Sequence, residues 1–132
     1  MPSVLILEDE RNLREIFSLI LSGAGFLCRE AEEPEHAVRL AREMRPDLLI
    51  ADLLLKGASG QEAALTIRDD LPGLPVIFVS ALYSETFVDE RLRNAFLPKP
   101  FKLDELIAVA LQLASLAEKQ AESVFKGGAL NG

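Results

Sequence analysis

The chain has 132 residues, 49 % of them apolar and 27 % charged, which excludes a disordered polypeptide and suits one domain burying about two thirds of its unfolded surface. Its net charge of −7 argues against a surface built to grip a nucleic-acid backbone, which needs faces rich in Lys and Arg. Cys28 is the only cysteine, so no intrachain disulfide is expected. No stretch resembles a signal peptide or reaches the ~18 apolar residues of a membrane span, so the sequence points to a cytoplasmic protein without membrane insertion.

In chain order, Val4–Leu7 (VLIL) is a short apolar run without alternation, the pattern of a strand covered on both faces. It runs straight into Glu8, Asp9 and Glu10. Carboxylates crowded at one point resist ionising together, so something must stand opposite them. Leu13, Ile16, Phe17, Ile20 and Leu21 then recur at helical spacing, and Gly23 closes that helix. Phe26–Ala31 (FLCREA) reads as a weaker second strand. Pro34 suits the first position of a second helix, which Ala37, Val38, Leu40, Ala41 and Met44 carry to the stop at Pro46. His36 falls on that helix with no second His or Cys near it, and reads as solvated.

Leu48–Ala51 (LLIA) is the third strand and delivers Asp52. Ser59 caps a third helix reaching Asp70, ahead of Pro72 and Pro75. Val76–Val79 (VIFV) is the fourth strand and ends on Ser80; Ala95–Leu97 is a short fifth, followed by Lys99 and Pro100. Strand and helix alternating in this way predict βαβ units with right-handed crossovers and a parallel sheet. No linker is expected before residue ~118, so the domain is placed at 1–118 and a helical extension with its tail at 119–132.

Parallel α/β sheets carry their sites at the carboxyl ends of the strands. Glu8 and Asp9, Asp52, Ser80 and Lys99 all stand there, each behind its own strand or pair. Taken singly, an acid could cap a helix, Ser80 could do the same, and Lys99 could be a solvated strand-end lysine. Those readings do not place all five on one rim. Lys99 and a hard cation such as Mg²⁺, which prefers carboxylate oxygens and shares phosphate, would offset the acids.

The stretches LILEDE, DLLIADLLLKGASG, VIFVSA and FLPKPF resemble the motifs of the receiver domain of two-component response regulators, over Ser3 to about Ala117. The resemblance implies a (βα)₅ flavodoxin-like, doubly wound sheet in the order 2-1-3-4-5. It implies phosphoryl transfer from the phosphohistidine of a sensor histidine kinase or phosphotransfer protein onto Asp52 as nucleophile. It further implies Mg²⁺ held directly by Asp9, Asp52 and the Leu54 carbonyl and through water by Glu8, with Lys99 and the Ser80 hydroxyl on phosphate oxygens. The Lys99–Pro100 bond is expected to be cis. Ser80 would move toward the phosphoryl group and Phe96 would turn inward, passing the signal to a downstream effector protein or domain. An ordinary core aromatic is the other reading of Phe96.

Departures from the family pattern carry expectations of their own. Lys56 replaces the usual proline after Asp52, so that loop is expected to be freer. The interval from Ser80 to Lys99 is about one helical turn short, which puts a shortened fourth helix within Ser84–Asn94. Leu54 and Leu82 flank the approach of water and are both apolar, so self-dephosphorylation should be slow. Leu103–Phe125 reads as one helix of roughly 23 residues, about 34 Å long. Its stripe Leu106, Ala110, Leu113, Ala117 and Val124 is either a homodimer contact or connector, or ends in a frayed segment from Glu118.

Other classes fit less well. A flavin-binding relative needs a Gly/Ser/Thr-rich phosphate loop where EDERN stands, and a phosphatase with an aspartyl nucleophile needs an acid where Leu54 stands. A receiver-like scaffold acting without phosphorylation would need a lost site residue, and all are present. The chain reads as a stand-alone receiver or as one excised from a larger regulator or hybrid kinase, without direct contact to nucleic acid.

Overall fold

The apolar runs become strands and the amphipathic segments become helices in a computed structural model that describes residues 1–81 and 95–115. In chain order these are β1 (Ser3–Leu7), α1 (Arg11–Gly23), β2 (Leu27–Ala31), α2 (Pro34–Met44), β3 (Leu48–Asp52), β4 (Leu54–Leu55), β5 (Ala58–Ser59), α3 (Gly60–Asp70), β6 (Val76–Ser80) and β7 (Ala95–Pro98). A last helical stretch occupies 103–115.

The main sheet has the order β2-β1-β3-β6-β7, and all four of its strand pairs are parallel. This is the expected 2-1-3-4-5 arrangement with the short β4–β5 pair set aside. Both faces are covered, which is why the strand sequences run apolar without a break. Leu5, Leu7, Leu49, Ala51, Val76 and Phe78 pack on one side against Ala37, Leu40 and Ala41 of α2 and Ala63, Ala64 and Ile67 of α3. Val4, Ile6, Leu48, Ile50, Ile77 and Val79 pack on the other against Phe17 and Leu21 of α1 and Leu106, Ala110 and Ala114 of the last helix. Successive residues of each strand therefore serve opposite cores, the period of two that pleating imposes.

Local chemistry sets the helix ends. Pro34 occupies the first turn of α2, and Ser59 accepts a hydrogen bond from the Gln61 N–H at the start of α3 at 3.1 Å. Gly23 is the last residue of α1, but the left-handed backbone lies two residues later, at Gly25 with φ 101°.

Two expectations change. The loop after Asp52, expected to be freer, is tied into a two-residue hairpin: Leu54 pairs with Ser59 and Leu55 with Ala58, with Gly57 turning at φ 68°. Gly57 supplies the positive φ that the turn requires and that a side chain disfavours. The apolar stripe of the last helix starts as core, since Leu106 and Ala110 are fully buried within the domain, so these two residues are not available to a dimer. The expected projection of that helix to Phe125 and the shortened fourth helix both lie outside the described residues.

Phe78 is fully buried on the central part of the sheet, whereas Leu19 on α1 is 74 % exposed. We expect Phe78→Ala to lower the free energy of unfolding by about 3–5 kcal/mol, and Leu19→Ala to change it by less than about 0.5 kcal/mol, both measured by urea denaturation.

Candidate functional site

The site begins with the backbone at the end of β1. The Glu8 N–H donates to the Ala31 carbonyl at 3.1 Å, and an Arg14 guanidinium N–H donates to the Glu8 carbonyl at 2.9 Å. Arg14 is itself paired with Glu30 at 3.3 Å. Glu8 is thereby fixed from both flanks, and its side chain points into the protein with 1 % exposure. Asp52 ends β3, between β1 and β6, and is also buried. Its Oδ1 accepts the Leu54 N–H at 2.9 Å.

Lys99 joins the two acids. Its backbone N–H donates to the Ser80 carbonyl at 2.7 Å, which sets the chain leaving β7 against the end of β6. From there Nζ donates to Asp52 Oδ2 at 2.6 Å and to Glu8 Oε1 at 3.0 Å. The Lys99–Pro100 bond is cis. These contacts answer the charge crowding at the end of β1: one ammonium serves two buried carboxylates. Burial drives the Glu8 carboxyl up to about 7 against the pull of the Lys99 hydrogen bond, and the charge of Asp52 adds to the rise. Burial alone would depress the Lys99 ammonium, but its bonds to Asp52 and Glu8 outweigh this and raise it.

The remaining predicted residues fall around this triad. Asp9 is half-buried, and its Oδ2 accepts the backbone N–H of Lys56 at 2.8 Å. Among the described residues no three His, Cys, Asp or Glu side chains are gathered closely enough to hold a metal as they stand. Ser80 is buried at the end of β6. Phe96 lies in β7 beside Phe78, half-buried and packed on the core shared with α2 and α3. Leu54 is 43 % exposed at the rim. Leu82 lies outside the described residues.

Two contributors were given no role in the reading of the sequence. One is Arg14, whose reach to the Glu8 carbonyl depends on how α1 folds back over β1. The other is Gly60. A methyl group on its Cα would collide with the Asp52 carbonyl oxygen and sit 2.9 Å from the carbonyl carbon. The first turn of α3 can lie against the backbone of Asp52 only because no side chain intervenes. A cleft of about 360 Å³ adjoins Asp9, walled by Glu32, Glu33, Glu35 and Lys56 among others.

The profile of the response regulator receiver domain family matches residues 4–111. The chain belongs to this family. Among curated relatives it is 30 % identical over 128 residues to the DNA-binding response regulator MtrA of Mycolicibacterium smegmatis, covering 94 % of this chain and 56 % of that protein. It is 34 % identical over 111 residues to the phosphate regulon regulator PhoB of Pseudomonas aeruginosa, covering 80 % and 48 %. The chain thus spans about half the length of the curated relatives it matches. Among solved structures it aligns with NtrX of Brucella abortus at a TM-score of 0.85 and 27 % identity, over 93 % of this chain and 29 % of that one. It aligns with the receiver domain of the hybrid histidine kinase CckA at 0.72 and 32 %, over 85 % and 98 %. Receiver domains work in two-component systems, where response regulators pair with histidine kinases and effector domains, and they are generally Mg²⁺-dependent.

For this receiver domain the raised Glu8 carboxyl has a consequence for stability. The folded protein keeps a proton that the unfolded chain gives up near pH 4.5, so stability falls as pH rises from there to about 7. We expect urea unfolding in metal-free buffer to show this decline, and Glu8→Gln, which cannot ionise, to flatten it.

Proposed function

We propose that Asp52 is the phosphoacceptor of this receiver domain, taking a phosphoryl group from the phosphohistidine of a sensor histidine kinase or phosphotransfer protein. The observation that carries this reading is the Lys99 ammonium 2.6 Å from Asp52 Oδ2 and 3.0 Å from Glu8. It is a fixed cation beside the one central-strand carboxylate at the carboxyl edge of the sheet.

A carboxylate oxygen of Asp52 attacks phosphorus, the phosphorus–nitrogen bond of the donor breaks, and the electron pair leaves with the imidazole. The product is an acyl phosphate. Charge in such a transfer spreads over the phosphoryl oxygens, so catalysis depends on cations and donors already in place. Lys99 meets that need by passing from the Asp52 carboxylate to a phosphoryl oxygen. The Leu54 N–H steadies the other Asp52 oxygen, and the Ser80 hydroxyl, one strand away, supplies a donor. Ser80 and Phe96 stand on neighbouring strands, paired around Phe78–Phe96 and Ser80–Pro98. A shift of Ser80 toward the phosphate therefore reaches the edge strand, where Phe96 would turn inward and pass the signal to the downstream partner.

The donor set suits Mg²⁺: Glu8, Asp9 and Asp52 offer only oxygen, as does the Leu54 carbonyl, and two buried acids share a single ammonium. When bound, Mg²⁺ would supply the positive charge that lets these carboxylates and an incoming phosphoryl group coexist. The net charge of −7 favours output through a protein or domain over direct contact with DNA. No helix among the described residues is long and apolar enough to cross a membrane.

With MgCl₂ and acetyl phosphate, intact-mass measurement is expected to show one added phosphoryl group. The label should be lost in Asp52→Asn and largely lost without Mg²⁺; undiminished labelling of Asp52→Asn would remove the assignment. Leu54 at the mouth of the site offers no hydrogen bond to an attacking water. Phosphate release from the phosphorylated protein should accordingly be slow, and Leu54→Asn should hasten it; loss of the label within seconds from the wild-type chain would refute this.

A further inference from the structure

We propose that Arg14 is a positioning residue for the metal-binding acids: it holds the peptide between Glu8 and Asp9 and thereby raises the affinity of the site for Mg²⁺. The inference rests on the reading of Glu8, Asp9 and Asp52 as the acids that hold the cation.

The ladder of β1 ends at Leu7, which pairs with Ala31 on one side and Ala51 on the other. One residue further on, the Glu8 N–H still reaches the Ala31 carbonyl at 3.1 Å. The Glu8 carbonyl lies beyond the ladder, and it accepts from Arg14 Nη1 at 2.9 Å. That carbonyl belongs to the peptide that joins the two acids, so its orientation sets ψ of Glu8 and φ of Asp9. A donor that carries a full charge makes the stronger class of hydrogen bond.

Arg14 is itself fixed. Its side chain, on α1, is 13 % exposed, and its Nε pairs with Glu30 Oε1 at 3.3 Å. Glu30 stands on β2 opposite Ile6, inside the sheet's own register. The planar guanidinium therefore ties the end of β1 to β2 through two of its nitrogens. Lys99 Nζ meets the Glu8 carboxylate, whereas Arg14 meets the Glu8 backbone. One neutralises and the other orients.

The two roles have opposite signs. A cation beside an acidic site repels Mg²⁺, so deleting a guanidinium that acted only through its charge would tighten binding. Deleting a group that orients metal ligands weakens binding, typically by about 10–100-fold.

Calorimetric titration of the full chain with MgCl₂ separates them. Arg14→Met keeps the apolar stem and removes the guanidinium, and its Kd should be about tenfold above that of the wild type. Arg14→Lys keeps the charge but replaces the planar fork with one ammonium, and its Kd should rise about threefold. Labelling of Arg14→Lys by acetyl phosphate should be slow at limiting Mg²⁺ and return to within about twofold of the wild-type rate at saturating Mg²⁺, as expected when binding alone is lost. Tighter or unchanged binding by Arg14→Met, a wild-type Kd in Arg14→Lys, or a rate deficit that saturating Mg²⁺ does not restore would overturn the role of Arg14 while leaving the metal site standing. If the methionine variant fails to fold, the lysine variant decides. Absence of Mg²⁺ binding in the wild type would overturn the metal reading itself, and the role of Arg14 with it.

Discussion

One ammonium between two buried carboxylates is the contact on which the site depends. Lys99 reaches Asp52 and Glu8 from the far end of the sheet in sequence, 47 and 91 residues away. Its removal would leave two acids in an enclosed place without a cation, and an uncompensated buried charge costs several kcal/mol. The arrangement is therefore a constraint on the fold as well as a tool. The ends of β1, β3 and β7 must stay in register for the bridge to form. The same bridge leaves an excess of negative charge, which burial makes costly at Glu8 and which a cation or phosphoryl group would change.

The sheet makes that constraint affordable. Its central strands are packed on both faces, and Phe78, Leu5, Ile6, Leu49 and Ile50 are all buried to within 1 % of full enclosure. Such a core deforms little, so it delivers backbone positions at the strand ends with small tolerance. Lys99 N–H on the Ser80 carbonyl and Glu8 N–H on the Ala31 carbonyl extend the ladder by one residue past each strand. The functional side chains thus project from the last ordered step of a rigid element, the placement that precise chemistry requires.

Around Asp52 the chain is shaped as much by what is missing as by what is present. Gly60 allows α3 to start against the Asp52 carbonyl, and Gly57 allows a two-residue turn. That turn presents the Lys56 N–H to Asp9. A loop whose sequence lacks the rigid proline is instead held by a hairpin and a hydrogen bond to the opposite strand end. The residue read as loosening the loop is the one that ties it to the site.

The sequence by itself determined the class of fold and the identity of the rim residues. Apolar runs without alternation report burial on both faces, helical periodicity reports which stripe faces the sheet, and the strand-end rule then collects Glu8, Asp9, Asp52, Ser80 and Lys99. Cap chemistry at Pro34 and Ser59 was legible for the same reason: it depends on neighbours in the chain. What only the tertiary structure decided depends on neighbours in space. Pattern alone does not assign Lys99 to Asp52 and Glu8 rather than to solvent, bring Arg14 to the Glu8 carbonyl, or press Gly60 against Asp52. Nor does it bring the Lys56 N–H to Asp9. The stripe on the last helix shows the limit plainly: periodicity reports that Leu106 and Ala110 are buried, but only packing shows that the domain's own core, against β1, β3, β6 and α1, buries them. Periodicity encodes that a face is covered; the identity of the cover is a property of the folded chain.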